Sequence, residues 1–165
     1  MGAMSFTSSA QKIGYMDFST VLLAHPAYDS VAFSLQNLER ELQMQLEEQN
    51  AAFEKSYQDL VNYSQTPGYD TSLFLMKKRT VESQQETLKR SQEIANETYE
   101  KRKTEELKKI IDRIRVVVDA IAKEKGLLYV MDNSSKILIV KDPAGDITKD
   151  VMKRMGIAIP PSLNE

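Results

Sequence analysis

The sequence predicts an α+β fold in which a long antiparallel helical hairpin, or tentacle, projects from a small three-stranded β body. Between Tyr28 and Lys125, helix-breaking residues occur at only one place, Pro67-Gly68. Proline removes a backbone donor and glycine tolerates positive φ, so this pair ends one helix and reverses the chain. After Lys125 the apolar period changes from that of a helix to that of a strand.

These breaks divide the chain into predicted parts. Residues 12–27 and 126–159 form a discontinuous, β-rich oligomerisation body, and residues 28–125 form the arm, with its tip near residues 64–72. Residues 160–165 are a tail. Residues 1–11 are expected to be an unstructured remnant of cloning, because they have neither the basic n-region nor the apolar h-region of a signal peptide.

The first elements of the body are a strand and a helical turn. Ile13, Tyr15 and Met16 are apolar within a short run that predicts a strand. A helical turn is expected from Val21, and Pro26 stops it. The single histidine precedes that proline and is expected to be a loop residue, because metal sites and catalytic dyads need partners.

The first arm runs from about Tyr28 to Tyr63. Its apolar residues recur at intervals of three, four and seven, which is coiled-coil spacing. They are Leu35, Leu38, Leu42, Leu46, Phe53, Tyr57 and Leu60.

The second arm begins near Thr71 or Ser72, either of which could cap the helix. Val81, Leu88 and Ala95 follow at intervals of seven and predict a narrow seam from Thr80 to Glu106. A denser apolar stretch then predicts packing on several sides. It contains Leu107, Ile110, Ile111, Ile114, Val117, Val118 and Ile121.

The two arms differ in charge. The first arm is mainly acidic, whereas the second begins with Lys77-Lys78-Arg79 and carries many further cations. Opposite charge favours antiparallel pairing and its register, although each exposed ion pair contributes only about 0.2–1 kcal/mol.

Two apolar runs after Gly126 predict a β-hairpin, Leu127 to Met131 and Ile137 to Lys141. Strict alternation would place Leu127, Tyr129 and Met131 on one face, with Leu128 and Val130 on the other. Both faces are therefore apolar. A final short helix, capped by Asp146 or Thr148, is expected to reach Met155.

Three short strands with two apolar faces leave open edges that a chain of 165 residues can hardly cover. We therefore expect a homo-oligomer closed through the strands. The expected interface residues are Ile13, Tyr15, Leu128, Val130, Ile137 and Ile139.

Composition excludes several classes of function. The formal net charge is −2, which argues against bulk nucleic-acid binding. There is no cysteine, which excludes thiol catalysis and cysteine-ligated metals, and no run has the length of a membrane span. Asp17 and Asp132 lie near strand ends and are expected to be turn residues. We expect no enzyme activity, no cofactor and no metal site.

Several segments in this order resemble the Skp/OmpH family of periplasmic chaperones, and the resemblance spans nearly everything from Lys12 to Gly156. The segments are Lys12-Ile-Gly-Tyr-Met-Asp17, Tyr28-Asp-Ser-Val31, Leu35-Gln-Asn-Leu-Glu-Arg-Glu-Leu42, Leu128-Tyr-Val-Met-Asp132 and Asp146-Ile-Thr-Lys-Asp-Val151.

The resemblance implies a homotrimer with a barrel-like base and three helical tentacles around a cavity. It implies a periplasmic, ATP-independent holdase that binds unfolded outer-membrane or envelope proteins and prevents their aggregation. The best-known members are strongly basic, whereas this chain has a pI of about 5.6. No lipopolysaccharide site is therefore carried over.

A holdase needs many weak contacts, and the tip gathers large apolar side chains beside cations. The predicted client-binding residues are Tyr63, Tyr69, Leu73, Phe74, Met76, Lys77, Lys78 and Arg79. A second interpretation makes the apolar residues the miniature core that closes the hairpin, and the cations a solvated face.

Two other classes of function remain. A coiled-coil scaffold or tether for one folded envelope partner predicts longer heptad runs and needs no two-sided sheet. A prefoldin-like chaperone would carry its strands between the helices, whereas here the predicted strands flank them.

Overall fold

The computed structural model describes residues 12–163, so the predicted N-terminal remnant, residues 1–11, lies outside the described residues. The elements in chain order are β1 (Lys12–Met16), α1 (Phe18–Leu23), α2 (Tyr28–Ser64), α3 (Thr71–Lys125), β2 (Leu127–Asp132) and α4 (Thr148–Arg154). Two 3-10 turns lie at Pro143–Gly145 and Pro161–Leu163. The α+β class and the two long helices are confirmed.

Local chemistry sets the helix ends. Gly68 and Gly126 have φ of +73° and +64°, a conformation that favours glycine, at the turn after α2 and immediately after α3. The first helix is longer than predicted and starts at Phe18, because the Asp17 carboxylate accepts a hydrogen bond from the Thr20 N–H at 2.8 Å.

The chain forms two compact units. One contains the described residues up to Val31 together with those from Glu106 onward, and is called the β unit below. The other contains residues Ala32 to Glu105 and is called the coiled-coil unit.

The β unit has a contiguous apolar core supplied by its strands, by α1, by α4 and by the last third of α3. Ile114, Ile147 and Met152 are fully buried in it. The dense apolar stretch of α3 thus packs as its composition predicted, because apolar residues on successive turns form a wide stripe. The buried members of the core are Met16, Val21, Ile110, Ile114, Ile121, Ile147, Val151, Met152 and Ile157.

The sheet of the described residues has two strands, not three. β1 and β2 pair in parallel, with Tyr15 opposite Met131 and Met16 opposite Asp132. A single bridge from Tyr15 to Asp146 extends the pairing on the other side of β1. The predicted β-hairpin between Leu127 to Met131 and Ile137 to Lys141 is therefore wrong, because β2 pairs with β1.

The prediction of strict alternation along β2 is also wrong. Lys12 lies opposite Leu127 but Ile13 lies opposite Tyr129, so Leu128 is an extra residue in the ladder. Such a bulge shifts the alternation by one position. Leu127 and Val130 consequently both pack against the core, although their spacing of three is odd for a strand.

The run from Ile137 to Lys141 has no regular structure. It follows a turn in which Lys136 adopts a φ of +53°. The Leu138 N–H donates a hydrogen bond to the Asn133 side-chain oxygen at 3.2 Å rather than to the backbone of a neighbouring strand. Ile137, Ile139 and Val140 are exposed. An apolar pattern of period two thus failed to predict a strand here, because no strand edge within the described chain accepts the run.

Hydrogen bonds to aspartates connect the junction of β1 and α1 with the start of α4 and with the end of β2. The Asp17 N–H donates to the Thr148 hydroxyl at 2.9 Å, and that hydroxyl donates to the Asp146 carboxylate at 2.6 Å. Asp132 accepts N–H donors from Ser134 and Phe18 at 2.9 and 3.4 Å. Burial raises the pKa of Asp132, but a hydrogen bond from the Ser134 hydroxyl, together with these two N–H donors, outweighs it and leaves the pKa lowered. Asp17 and Asp132 therefore cap and turn the chain, as predicted.

The last helix is held to the end of α3 by ion pairs. Arg154 makes a two-pronged contact with Glu124, with both nitrogen-to-oxygen distances at 2.7 Å. Lys125 lies 2.7 Å from Asp150. A planar guanidinium matches a carboxylate in this way, so the contact orients α4 more than it adds stability at an exposed site.

The coiled-coil unit consists of the antiparallel remainder of α2 and α3. Leu42 and Leu46 of α2 line the same gap as Ala95 and Tyr99 of α3. Nearer the turn, an ion pair joins Asp59 to Lys77. Residue numbers fall along one helix as they rise along the other, which defines the antiparallel register.

We expect Ile114→Ala to destabilise the β unit by about 2–5 kcal/mol, since it removes a fully buried side chain and leaves a cavity. Urea unfolding followed by circular dichroism measures the change. Val116→Ala is the matched control on the same helix, because Val116 is 70% exposed. Equal losses from the two substitutions would contradict the assignment of the core.

Candidate functional site

The turn between α2 and α3 carries a cluster of three aromatic rings. Tyr63 and Tyr69 meet edge to face with centroids 6.0 Å apart, and Tyr69 lies 5.4 Å from Phe74. Offset and edge-to-face arrangements are the favourable ones for aromatic pairs. The sequence predicted that these rings lie near the turn, and the structure shows them in contact, with Tyr63 and Phe74 half-buried and Tyr69 exposed.

Backbone contacts fix this turn. The Tyr63 hydroxyl accepts a hydrogen bond from the Asp70 N–H at 3.0 Å. The Asp70 carboxylate accepts from the N–H groups of Ser72 and Leu73 at 2.7 and 3.4 Å. Asp70 is thus the residue that caps α3, rather than Thr71 or Ser72 as predicted. Its carboxylate reaches the second and third N–H groups of the helix, which otherwise lack partners.

The three cations that follow do not form one patch. The Lys77 ammonium lies 5.5 Å from the centre of the Tyr63 ring and pairs with Asp59. Lys78 lies 3.7 Å from Glu82 on its own helix, and Arg79 is exposed. Consecutive helical residues point about 100° apart, so a run of three cations spreads around the helix.

Large apolar side chains remain exposed around the turn. Leu73 and Phe74 are half-buried, whereas Leu75, Met76 and Tyr69 are exposed. Exposed methionine and tyrosine side chains adapt to partners of varied shape. The turn therefore combines a rigid ring cluster with an accessible apolar rim.

The sequence reasoning missed further exposed apolar residues along the helices. Phe33 and Met44 on α2, and Ile94 on α3, are each more than half exposed. These three residues lie outside the heptad rows of apolar residues, and this position was the signal in the sequence that they would be exposed. Apolar residues outside a coiled-coil seam have no partner helix to cover them.

The seam itself is imperfectly filled. A gap of about 350 Å³ lies between the helices where Leu42 and Leu46 face Ala95. Nearer the turn, the side-chain oxygen of Gln84 is buried without a hydrogen-bond partner among the described residues. An unpaired buried polar atom costs about 1–3 kcal/mol, so Gln84 weakens this part of the seam.

The predicted interface residues of the β unit fall into two groups. Ile13, Leu128, Ile137 and Ile139 are exposed. Tyr15 is buried, and Val130 packs against the core of its own chain. The exposed group adjoins Tyr129, Met131 and Val140, which are exposed as well.

The described residues hold no group of three or more histidine, cysteine, aspartate or glutamate side chains suited to a metal ion. None of the helices described in the structure is both long and apolar enough to cross a membrane.

These features define an α+β protein with a coiled-coil hairpin and dispersed apolar contact surfaces. The chain belongs to the OmpH-like outer membrane protein family, since a sequence model of that family matches residues 12–155. The resemblance seen in the sequence is thus confirmed at the level of the family.

A solved structure has the same fold. It is a crystal structure from Caulobacter crescentus CB15, described as a candidate outer membrane chaperone (OmpH-like). It is 12% identical to this chain, with a TM-score of 0.67, and the match covers 94% of this chain and 88% of that one. A search of curated proteins finds no match.

Replacing Asp70 by alanine removes the cap of α3, and we expect a local loss of about 0.5–2 kcal/mol. Amide hydrogen exchange at Ser72 and Leu73, read by NMR, should accelerate accordingly. Asp70→Ser is the control, since a serine hydroxyl can accept the same hydrogen bonds. Unchanged exchange in the alanine variant would show that Asp70 does not hold this turn.

Proposed function

We propose that this protein is an ATP-independent holdase chaperone. In this proposal it binds unfolded outer-membrane or other envelope proteins in a cavity bounded by several helical arms, and prevents their aggregation in the periplasm. It performs no chemical reaction and needs no cofactor.

The observation that carries the proposal is the distribution of exposed apolar side chains on the coiled-coil unit. They are spread over many turns of two helices instead of lining one pocket. A client that must be held and later released needs many weak contacts. Once one client segment is bound, the effective concentration of its other segments near the protein is raised, so no single strong contact is needed. The exposed members are Phe33, Met44, Tyr57, Tyr69, Leu75, Met76 and Ile94.

Membership of the OmpH-like outer membrane protein family supports the envelope as the site of action. The structural neighbour is itself described as a candidate outer membrane chaperone. Of the predicted client-binding residues, Tyr69 and Met76 are the large apolar ones that are exposed. Lys78 and Arg79, also exposed, would add favourable contacts with acidic clients.

The assembly proposed for this activity is a homotrimer closed through the β unit. Its support is the exposed apolar group at Ile13, Leu128, Ile137 and Ile139, together with a run, Ile137 to Val140, that has no strand partner in the described chain. Ile139 is 99% exposed, which is costly for an isoleucine in a monomer. Pairing with neighbouring copies would bury this run.

The holdase proposal predicts that equimolar protein suppresses aggregation of a urea-denatured outer-membrane β-barrel after dilution, without nucleotide. Light scattering measures the suppression. Replacing Tyr69, Leu75 and Met76 together by serine should raise the concentration needed for half-suppression by at least about fivefold, because three apolar contacts are lost. Gln85→Ser with Gln92→Ser is the polar control on α3. No suppression by the native protein, with tight binding to one folded partner instead, would favour the scaffold.

The trimer proposal predicts that Ile139→Asp shifts the protein to smaller species at micromolar concentration, since a buried interfacial carboxylate is strongly unfavourable. Sedimentation equilibrium measures the mass. Lys149→Asp serves as the charge control, because Lys149 is exposed on α4 and lies outside the proposed interface run. A native protein that sediments as a folded monomer would refute the shared base.

A further inference from the structure

One face of α2 points away from the coiled-coil seam and is named the Met44 face here. It is formed by Phe33, Asn37, Arg40, Glu41, Met44, Gln45, Glu47 and Glu48. At about 100° per residue, Phe33, Asn37, Arg40 and Met44 lie within a narrow sector, nearly opposite the seam residues Leu35, Leu42 and Leu46. No part of α3 in the coiled-coil unit covers this sector.

The Met44 face combines apolar side chains with a shallow depression. Phe33 and Met44 are each 64% exposed and lie three helical turns apart. Around Met44, this depression is open to solvent and is lined by α2 residues alone. The flexible thioether of Met44 is part of its lining and can adapt to apolar side chains of different shapes.

The charge of this face is negative and largely uncompensated. Three glutamates line the depression, together with one arginine, Arg40. Glu47 accepts a hydrogen bond from the neutral Gln43 side chain at 3.0 Å. In the part of the chain that the structure describes, Glu41 and Glu48 take part in no ion pair.

Several cations of α3 differ, because each is paired with a carboxylate on its own helix. Arg90 lies 2.8 Å from Glu86, and Lys103 lies 3.4 Å from Glu100. Several cations of α3 are thus paired on their own helix, whereas Glu41 and Glu48 of the Met44 face have no ion-pair partner among the described residues.

We propose that the Met44 face binds segments of unfolded client in which lysine or arginine accompanies apolar side chains. This inference rests on the proposed holdase function. It specifies which client segments the Met44 face binds. Exposed apolar side chains supply affinity without sequence specificity, and the carboxylates supply the sign of charge. An anionic lipid surface would be repelled by the same carboxylates.

The Met44 face therefore complements the apolar rim at the turn, where Lys78 and Arg79 are exposed. A client carrying both signs of charge would be held at two places along the same coiled-coil unit.

The test uses two fluorescent, disordered Gly–Ser peptides with leucines at the same positions and either lysines or glutamates between them. Fluorescence anisotropy with the native oligomer at 0.15 M salt measures both affinities. The lysine peptide should bind about three- to fivefold more tightly, since two exposed ion pairs contribute on the order of 1 kcal/mol together. The preference should vanish at 1 M salt, where charges are screened within about 3 Å.

Substitutions locate the preference. Glu41→Gln with Glu48→Gln should bring the two affinities to within about twofold of each other, whereas Met44→Ser should weaken both peptides alike. Glu82→Gln with Glu86→Gln removes the same formal charge from ion-paired sites on α3 and should leave the preference intact. All these positions are exposed, and thermal unfolding followed by circular dichroism verifies that each variant folds.

The outcomes separate this inference from the holdase function. Equal affinities, a preference for the glutamate peptide, or a preference that survives Glu41→Gln with Glu48→Gln would each overturn it. If the native protein suppresses barrel aggregation in the same preparations, the holdase function stands while the Met44 face loses its role. If aggregation is not suppressed, the holdase function fails first.

Discussion

The parallel pairing of β1 with β2 is the constraint on which the rest of the structure depends. Parallel neighbours cannot be joined by a tight turn and need a long crossover connection. In this chain the connection contains α1, α2 and α3, so both long helices belong to it. Closing so long a connection costs conformational entropy, although the cost rises only slowly with length. Burial of Val21, Ile110 and Ile114 against Met16 offsets it.

The two units differ in how densely apolar residues occur along their helices. The last third of α3 has apolar residues on enough sides to build a core, and that core stabilises the β unit. The coiled-coil unit has a single narrow seam, with a gap beside Ala95 and an unpaired oxygen on Gln84. Side chains such as Phe33 and Met44 lie outside this seam and are exposed. The surface proposed for clients is thus formed by apolar residues that the heptad pattern does not pair.

Acidic residues serve two separate purposes in this molecule. Asp17, Asp70 and Asp132 accept backbone hydrogen bonds at turns and helix starts, where short side chains reach nearby N–H groups. Glu41 and Glu48, on longer side chains in the middle of α2, reach no such groups. These three aspartates therefore hold turns and helix starts, whereas Glu41 and Glu48 have no ion-pair partner among the described residues.

The sequence by itself determined the α+β class, the two long helices, their turn at Pro67-Gly68 and the aromatic cluster beside it. These features follow from short-range chemistry: backbone geometry at glycine and proline, helical periodicity, and contacts between neighbours in the chain. Only the tertiary structure decided the partner of β2, the bulge at Leu128 and the exposure of Ile139. Strand pairing joins residues far apart in sequence, and a short apolar run predicts a strand without indicating which strand edge it will pair with.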